Sequence, residues 1–478
     1  MSYSDAIRPV RNRMRKFSYT SVLRQLSGYV QEKRAAGDSK MPYMPWVGER
    51  LALWALRDSP RMYGHAPMQR SDLETCLKLA WRNMDSAISW INDGDPATLL
   101  MRSVMLAQAP HQLSSDIGAF ARQIDLVNRT NPGSKLHSTI TDAIGLPPLD
   151  YLQLAVFFWL KAEGQIAEVF TPLYTAALAN AFGNERLQRF LCTVMCPRER
   201  VAEEMDKIEA DEWFQPNLMY RFPFTVYQEK WYFWGRPSLG RHLEFAFSDI
   251  VGRSDDDPSR KGFENAFEQY VGESLQRSGL LKMNESEVRE RFEITGGCCD
   301  YALLDGDVIV LFEVKNKALA HTLPASATAK TYQSKLKATI LKAAAQLENV
   351  TSYVKDDPTL KHARIRRVVV TYGDLMLGTA EYLFSGKPKE DLPLIFSIDQ
   401  LDRLIEAVRL KQCSLDDFFS DYLKRQEAPK TWSFSPSQLL DAEPYRLAAQ
   451  PAHLADIFNP FFDGLAAKVG GVMPNIAT

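Results

Sequence analysis

The pattern of apolar and polar positions predicts two kinds of architecture along this chain of 478 residues. In the first half, apolar residues recur at spacings of three and four, which is typical of amphipathic helices. The helices predicted in this way are 19–34, 45–56, 70–91, 114–127, 149–162, 166–181, 184–195 and 198–210. An aromatic, β-branched segment at 222–234 then predicts a short hairpin, and a helix follows at 238–251. Residues 1–253 are therefore predicted to form a mostly helical N-terminal domain.

Beyond the acidic segment 254–258, which is the predicted linker, helices alternate with short apolar strands. The predicted order is a helix at 262–280, strands at 299–304 and 308–314, a polar loop at 321–329, a helix at 330–354, strands at 365–372 and 394–398, and a helix at 399–410 with Asp399 as its N-cap. The two central strands are apolar on both faces, so helices should cover the sheet on each side. This predicts an α/β domain over 258–427, with a mixed sheet flanked by helices. Residues 428–478 are weakly periodic and are predicted to be a C-terminal appendage.

The turn between the two central strands decides which side chains face each other. A loop at 306–307 places Asp300 directly opposite Glu313, whereas a loop at 305–306 makes Glu313 its diagonal neighbour on the same face. Lys315 lies two residues beyond Glu313, so it shares that face in either register. Both registers therefore bring two carboxylates and one ammonium group together.

Two facing carboxylates repel each other unless a cation lies between them. A hard divalent cation such as Mg²⁺, with Mn²⁺ as a substitute, is the usual solution. Lys315 would then lie beside the ion, where it can steady a phosphate oxygen or an attacking water. This pattern predicts a site that cleaves phosphodiesters. The alternative without chemistry is an ion pair between Asp300 and Lys315, with Glu313 in solvent.

Asp300 followed by Glu313-Val314-Lys315 at the end of an apolar strand resembles the signature of the PD-(D/E)XK, or restriction-endonuclease-like, nuclease superfamily. The resemblance covers roughly residues 262–420. Cys299 stands where that signature often has proline. The resemblance implies a Mg²⁺-dependent endonuclease acting on nucleic acid, with DNA favoured over RNA.

The helix at 262–280 resembles the first helix of such nucleases, whose acidic residue points at the metal site. The resemblance implies this role for Glu268, with Glu264 one turn earlier as the reserve candidate. The implied metal ligands are Asp300, Glu313 and Glu268, and these three together with Lys315 are the implied catalytic residues.

The charge of the chain bears on its substrate. The formal net charge is −2, so nucleic acid must be contacted through local basic patches. Basic residues outnumber acidic ones between 315 and 367, although a solvated helix face is an equally weighted explanation. The substrate-binding candidates in this region are Lys317, Lys335, Lys342 and Gln346. A second basic segment, containing Arg8, Arg11, Arg13, Arg15 and Lys16, predicts a solvated or phosphate-facing helix.

Cysteine usage and hydropathy indicate the compartment. Six cysteines without a regular framework are typical of a reducing environment, and no apolar run reaches membrane-spanning length. A cytoplasmic protein without a membrane partner is therefore expected. A helical region ahead of a nuclease fold resembles bacterial anti-phage defence proteins, which implies that the helical domain senses a protein trigger, a partner subunit or the substrate. The sequence leaves a homo-oligomer open. The second hypothesis is a catalytically inactive nucleic-acid-binding or scaffold protein that keeps the nuclease fold.

Overall fold

The structure is a computed structural model that describes residues 3–32, 43–88, 117–164, 172–206, 218–317, 329–377, 380–384, 387–388, 391–427 and 435–469. The predicted helix starts at 114 and 166, and the predicted loop at 321–329 apart from its last residue, lie outside these ranges. Within them the chain is mixed α/β, mostly helical, with two mixed sheets. The fold class is therefore confirmed at this coarse level.

The N-terminal region consists of helices in the predicted order, with one further helix, Lys135–Ile144, that was not predicted. They are α1 Tyr3–Met14, α2 Tyr19–Gln31, α3 Pro45–Arg57, α4 Arg70–Ile88, α5 Ile117–Asn128, α6 Lys135–Ile144, α7 Pro148–Gly164, α8 Pro172–Phe182, α9 Asn184–Val194 and α10 Arg198–Asp206. Local sequence sets their ends. Helix α6, for example, begins where the Ser134 side chain accepts the N–H of His137, and it ends at Gly145, whose φ is 70°.

A small sheet and two short helices lead into the second half. The strands are β1 Met195–Pro197, β2 Phe224–Tyr227 and β3 Lys230–Phe233. The antiparallel β2–β3 pair confirms the predicted hairpin, and β1 adds to it in parallel. The single helix predicted at 238–251 is wrong, because α11 Arg236–Glu244 and α12 Ala246–Arg253 are separated at Phe245. Phe245 leaves helical dihedral angles, and its buried ring packs edge-on against Tyr372 at 5.9 Å.

The larger sheet has five strands in the order β4 Leu281–Asn284, β5 Tyr301–Asp305, β6 Val308–Lys315, β7 Arg364–Thr371 and β8 Leu394–Ser397. The first three strands are antiparallel to one another, and the last three are parallel. The predicted strands are all present. The edge strand β4 was not predicted, because it has four residues and Leu281 is 60% exposed.

Helices cover both faces of this sheet. They are α13 Asp257–Gln276, α14 Glu285–Phe292, α15 Ala329–Leu336, α16 Lys342–Asp356, α17 Ile398–Arg409 and α18 Leu415–Glu427. The predicted linker at 254–258 is wrong at its end, because 257 and 258 already belong to α13, whose N-cap Asp256 accepts the N–H of Ser259 at 3.0 Å. A π-helical turn, Lys337–Leu341, divides the predicted helix at 330–354 into α15 and α16.

The predicted N-cap of α17 is wrong. Ser397 caps this helix in a capping box with Gln400, in which each side chain accepts the other residue's backbone N–H. Asp399 instead accepts a hydrogen bond from Arg122 of α5 at 2.8 Å.

The alternating side chains of β6 enter two separate apolar cores. Phe312 packs in one core with Phe267 of α13, whereas Leu311 packs in the other with Leu347 of α16. Both faces are therefore buried, as the sequence predicted. The described part of the predicted appendage contains α19 Pro436–Leu440 and α20 Ala452–Val469. Helix α20 packs against α5 and contributes to the same core as Phe312.

Helix α13 also contacts the N-terminal helices. At Gly262 it approaches α6 so closely that an added Cβ would lie 3.3 Å from the Cβ of Leu136. Within the described residues, no single helix is long and apolar enough to cross a membrane. In that part of the chain, α6 and the segment Pro148–Ala162 are long and apolar enough only when they are counted together, and they are bent by 47° relative to each other.

Candidate functional site

The turn of the central hairpin confirms the first of the two predicted registers. The described strand pairs run from Tyr301–Phe312 to a two-residue loop at 306–307. Gly306 has a φ of 61°, which glycine adopts more readily than other residues. The regular ladder ends at Tyr301, so Asp300 lies one residue beyond it and the predicted direct pairing of Asp300 with Glu313 is not part of the ladder.

Asp300 is tied to the end of β6 by two hydrogen bonds. Its N–H donates to the carbonyl of Phe312 at 3.0 Å, and its Oδ2 accepts the N–H of Val314 at 2.6 Å. Burial raises the pKa of Asp300, although the Val314 N–H and the charge of Lys315 partly oppose that effect. The carboxylate is therefore fixed in direction but poorly solvated.

Glu313 is an acid buried near the end of β6. It is 1% exposed, and its Oε1 accepts a hydrogen bond from the Lys315 Nζ at 2.5 Å. Its Oε2 is buried and has no hydrogen-bond partner among the described residues. Burial first, and the charge of Asp300 second, raise the pKa of Glu313 to about 8.

These contacts contradict the predicted ion pair between Asp300 and Lys315 with Glu313 in solvent. Glu313 is buried rather than in solvent, and Lys315 pairs with Glu313. An unpartnered carboxylate oxygen in a buried site is costly unless a proton or a cation satisfies it. The strand end therefore presents an oxygen that is available to an ion.

Glu268 faces the same cluster, and Glu264 does not. Burial raises the pKa of Glu268, and the charge of Asp300 raises it further, while Lys315 opposes both effects. Glu264 is exposed and acts electrostatically on Arg260 of its own helix. Of the two acids predicted from the helix, Glu268 is the one that the structure brings to the site.

Gly272 allows α13 to lie close enough to β5 for Glu268 to reach the cluster. An added Cβ at Gly272 would lie 2.4 Å from the hydroxyl oxygen of Tyr301. That hydroxyl donates to the carbonyl of Glu268 at 3.1 Å. The tyrosine thus fixes the position of the helix directly at the acidic residue.

Two side chains of α16 hold the loop that precedes Asp300. Gln346 Nε2 donates to the carbonyl of Cys298 at 3.1 Å. Asn349 Nδ2 donates to the carbonyls of Thr295 and Gly297 at 3.1 and 2.7 Å. Gln346, a predicted substrate-binding residue, therefore contacts the loop of the site, and its buried Oε1 lacks a partner within the described residues.

The other predicted substrate-binding residues lie in different environments. Lys317 is the second residue after β6, and burial lowers its pKa. Lys335 of α15 is exposed, and so is Lys342, which begins α16 one residue after the π-helical turn.

Part of the predicted basic excess is neutralised locally. Arg364 pairs with Asp307 at 2.9 Å and with Asp416 at 2.6 Å, and Arg367 pairs with Asp391 at 3.1 Å. The lysines, rather than these arginines, remain the candidates for binding a polyanion.

Glu285 is an acid that the sequence analysis missed. It begins α14, and its charge raises the pKa values of Asp300, Glu313 and Glu268. Its carboxylate pairs with Arg289 one turn later at 2.7 Å. The signal that could have located this helix is Asn284-x-x-Glu287, which forms a capping box in the structure.

The donor set determines what kind of metal ion could bind here. Within the described ranges, no group of three or more His, Cys, Asp or Glu side chains is arranged to hold a metal ion. Mg²⁺ does not need such a group, because it keeps several waters and takes one or two carboxylates. The unpartnered oxygen of Glu313 and the neighbouring carboxylate of Asp300 fit an ion of that kind.

Comparison with known proteins adds no relative. No protein-family model, no curated protein and no solved structure matches this chain.

Proposed function

We propose that this chain is a metal-dependent, PD-(D/E)XK-like nuclease that hydrolyses phosphodiester bonds in nucleic acid, with DNA favoured over RNA. The observation that carries the proposal is the buried, unpartnered oxygen of Glu313 beside Asp300 and Lys315. The mixed sheet with helices on both faces supports a restriction-endonuclease-like core. Cleavage of a polyanion is the chemistry that suits two acids and one ammonium group at a strand end.

In this proposal, Asp300 and Glu313 hold a Mg²⁺ ion, with Mn²⁺ as a substitute, and Glu268 completes the acidic set. When bound, such an ion supplies Lewis-acid polarisation and lowers the pKa of water. Lys315 orients the attacking water and neutralises negative charge that develops on the phosphate. Lys317, Lys335 and Lys342 would contact the substrate backbone.

The biological role is proposed by analogy. A nuclease preceded by helices suits bacterial anti-phage defence in the cytoplasm, with the helical region sensing a protein trigger, a partner subunit or the substrate. The proposal involves no membrane and is compatible with a homo-oligomer.

A second candidate is a catalytically inactive nucleic-acid-binding or scaffold protein. It is favoured by the direct contact of Lys315 with Glu313, which satisfies half of that carboxylate without an ion. In this case the acidic side chains would be structural.

A cleavage assay separates the two candidates. Supercoiled plasmid, linear duplex DNA, single-stranded DNA and transfer RNA are incubated with Mg²⁺, Mn²⁺ or a chelator. We expect metal-dependent cleavage that Lys315→Ala abolishes, whereas Lys355→Ala, at an exposed lysine at the far end of α16, leaves it intact. Equal cleavage by the unchanged protein and Lys315→Ala would end the catalytic assignment.

A further inference from the structure

A basic surface lies on the N-terminal helices, where the proposed nuclease chemistry makes no use of it. We call it the N-terminal basic face, and its members are Arg8, Arg11, Arg15, Lys16, Arg57, Arg61 and His65. Arg8 and Arg11 lie on one side of α1, and Arg15, directly after the helix, continues that side because its N–H donates to the carbonyl of Arg11 at 2.9 Å. The adjacent side of α1 is buried through Ile7, Val10 and Met14.

Backbone contacts bring the remaining members alongside α1. Gly64 donates its N–H to the carbonyl of Arg15 at 2.8 Å, and Ser18 donates to the carbonyl of Ala66 at 2.7 Å. An added Cβ at Gly64 would lie 2.6 Å from the carbonyl oxygen of Lys16, so the approach requires glycine. The segment that carries Arg61 and His65 is thus fixed next to the end of the helix.

Asp58 holds two guanidinium groups of this face in place. Its carboxylate is fully buried and accepts hydrogen bonds from Arg15 at 2.7 and 2.9 Å and from Arg11 Nε at 3.0 Å. Both arginine side chains remain partly exposed, at 19% and 25%. One carboxylate therefore orients two cations, and a positive charge remains at the surface.

The outer members of the face are uncompensated. Lys16, Arg61 and His65 are exposed, and none has a hydrogen bond or an ion pair to an acidic side chain within the described residues. Arginine predominates in the face, and its planar guanidinium suits bidentate contacts to phosphate oxygens.

We propose that the N-terminal basic face binds the phosphate backbone of a nucleic-acid duplex, at a surface separate from the acidic cluster around Glu313. An anionic lipid surface has similar charge chemistry, but a helix that lies on a membrane needs an apolar face to insert. The apolar face of α1 is already buried in the protein, and among the described residues of this surface only Met62 is a large exposed apolar side chain, at 50%. A duplex is therefore the better match.

Charge reversal at exposed positions tests the proposal without disturbing Asp58. The test protein is Lys16→Glu/Arg61→Glu. The matched control is Lys411→Glu/Arg446→Glu, which makes the same change in net charge at exposed residues near the other end of the chain. Fluorescence anisotropy with labelled duplex DNA and duplex RNA of about 30 base pairs, in chelator so that cleavage does not interfere, measures Kd as a function of salt.

We expect the test protein to bind about tenfold more weakly than the control at low salt, and its salt slope to fall by about two because two phosphate contacts are lost. Binding is measured in chelator and does not require cleavage, so a failure of the cleavage proposal leaves this one standing. Absence of duplex binding by the unchanged protein, or equal weakening in test and control, would overturn it. Loss of binding to phosphatidylserine vesicles in the test protein, with duplex binding unchanged, would assign the face to a lipid surface instead.

Discussion

The ammonium group of Lys315 lies 2.5 Å from one carboxylate oxygen of Glu313, while the other oxygen of that carboxylate is buried without a partner in the described structure. The Glu313 carboxylate therefore has one oxygen paired with an ammonium group and one oxygen that a cation could bind. Four predictions follow from the surroundings of this pair.

The stability of the metal-free protein should fall as the pH rises towards 8. The pKa of Glu313 is raised to about 8 in the folded state, above its unfolded value, so the folded state binds more protons between the two values. Glu313→Gln mimics the protonated acid and should stabilise the protein at pH 8 by on the order of 1–3 kcal/mol, with little effect near pH 4. Thermal melts from pH 4 to 9 in chelator measure this. An identical pH dependence of Tm in the unchanged protein and in Glu313→Gln would contradict the raised pKa of Glu313.

Divalent metal should stabilise the protein, whether or not it is active. Because Mg²⁺ or Mn²⁺ would bind only the folded site, millimolar metal should raise Tm more at pH 8 than at pH 5, where Glu313 is protonated. Asp300→Asn should abolish the shift. Asp305→Asn, at the far end of β5, is the matched control and should keep it. An equal shift for all three proteins would place the metal elsewhere.

Removing the charge of Glu285 should lower the pH at which the metal binds. Its charge raises the pKa values of Asp300, Glu313 and Glu268, so Glu285→Gln should bring all three down. The midpoint of Mg²⁺-dependent stabilisation should move to lower pH by less than about one unit. Glu290→Gln changes an exposed acid on the same helix and should leave the midpoint in place.

Packing at Gly272 should control the position of Glu268. Gly272→Ala forces a Cβ against the hydroxyl of Tyr301 and should destabilise the protein by about 1–3 kcal/mol. Adding Tyr301→Phe removes the obstructing oxygen and should recover part of the loss. Gly252→Ala is the control, because nothing lies within 4 Å of a Cβ there. Urea denaturation of the four proteins measures these differences, and equal stability of both alanine variants would contradict the packing account.

The sequence predicted the site best where local rules apply. The Asp305-Gly306-Asp307 turn favoured two registers over a three-residue loop, and in both of them the strand period brings Asp300, Glu313 and Lys315 to one face. That inference needs only the period of a strand. Glu268 was instead carried over from the resemblance of α13 to the first helix of PD-(D/E)XK nucleases, with Glu264 in reserve.

The missed features depend on contacts between distant segments. Strand β4 is too short and too exposed to show a pattern, so Glu285 just after it was not predicted. Arg364 was counted in the basic excess between 315 and 367, but it pairs with Asp307 and Asp416. These partners come from a turn before it in the chain and a helix after it. Gln346 was predicted to bind substrate, yet its amide donates to the carbonyl of Cys298. Periodicity shows which face a side chain occupies but not which partner it meets.

The close contact between α13 and α6 at Gly262 couples the unfolding of the sheet to that of the N-terminal helices. Helix α13 lies between the five-stranded sheet and helices drawn from the first 253 residues, and one apolar interior runs through all of them. Separating the first 253 residues from the rest of the chain would expose apolar surface on both parts. We therefore expect one cooperative melting transition, and we expect either half expressed alone to aggregate.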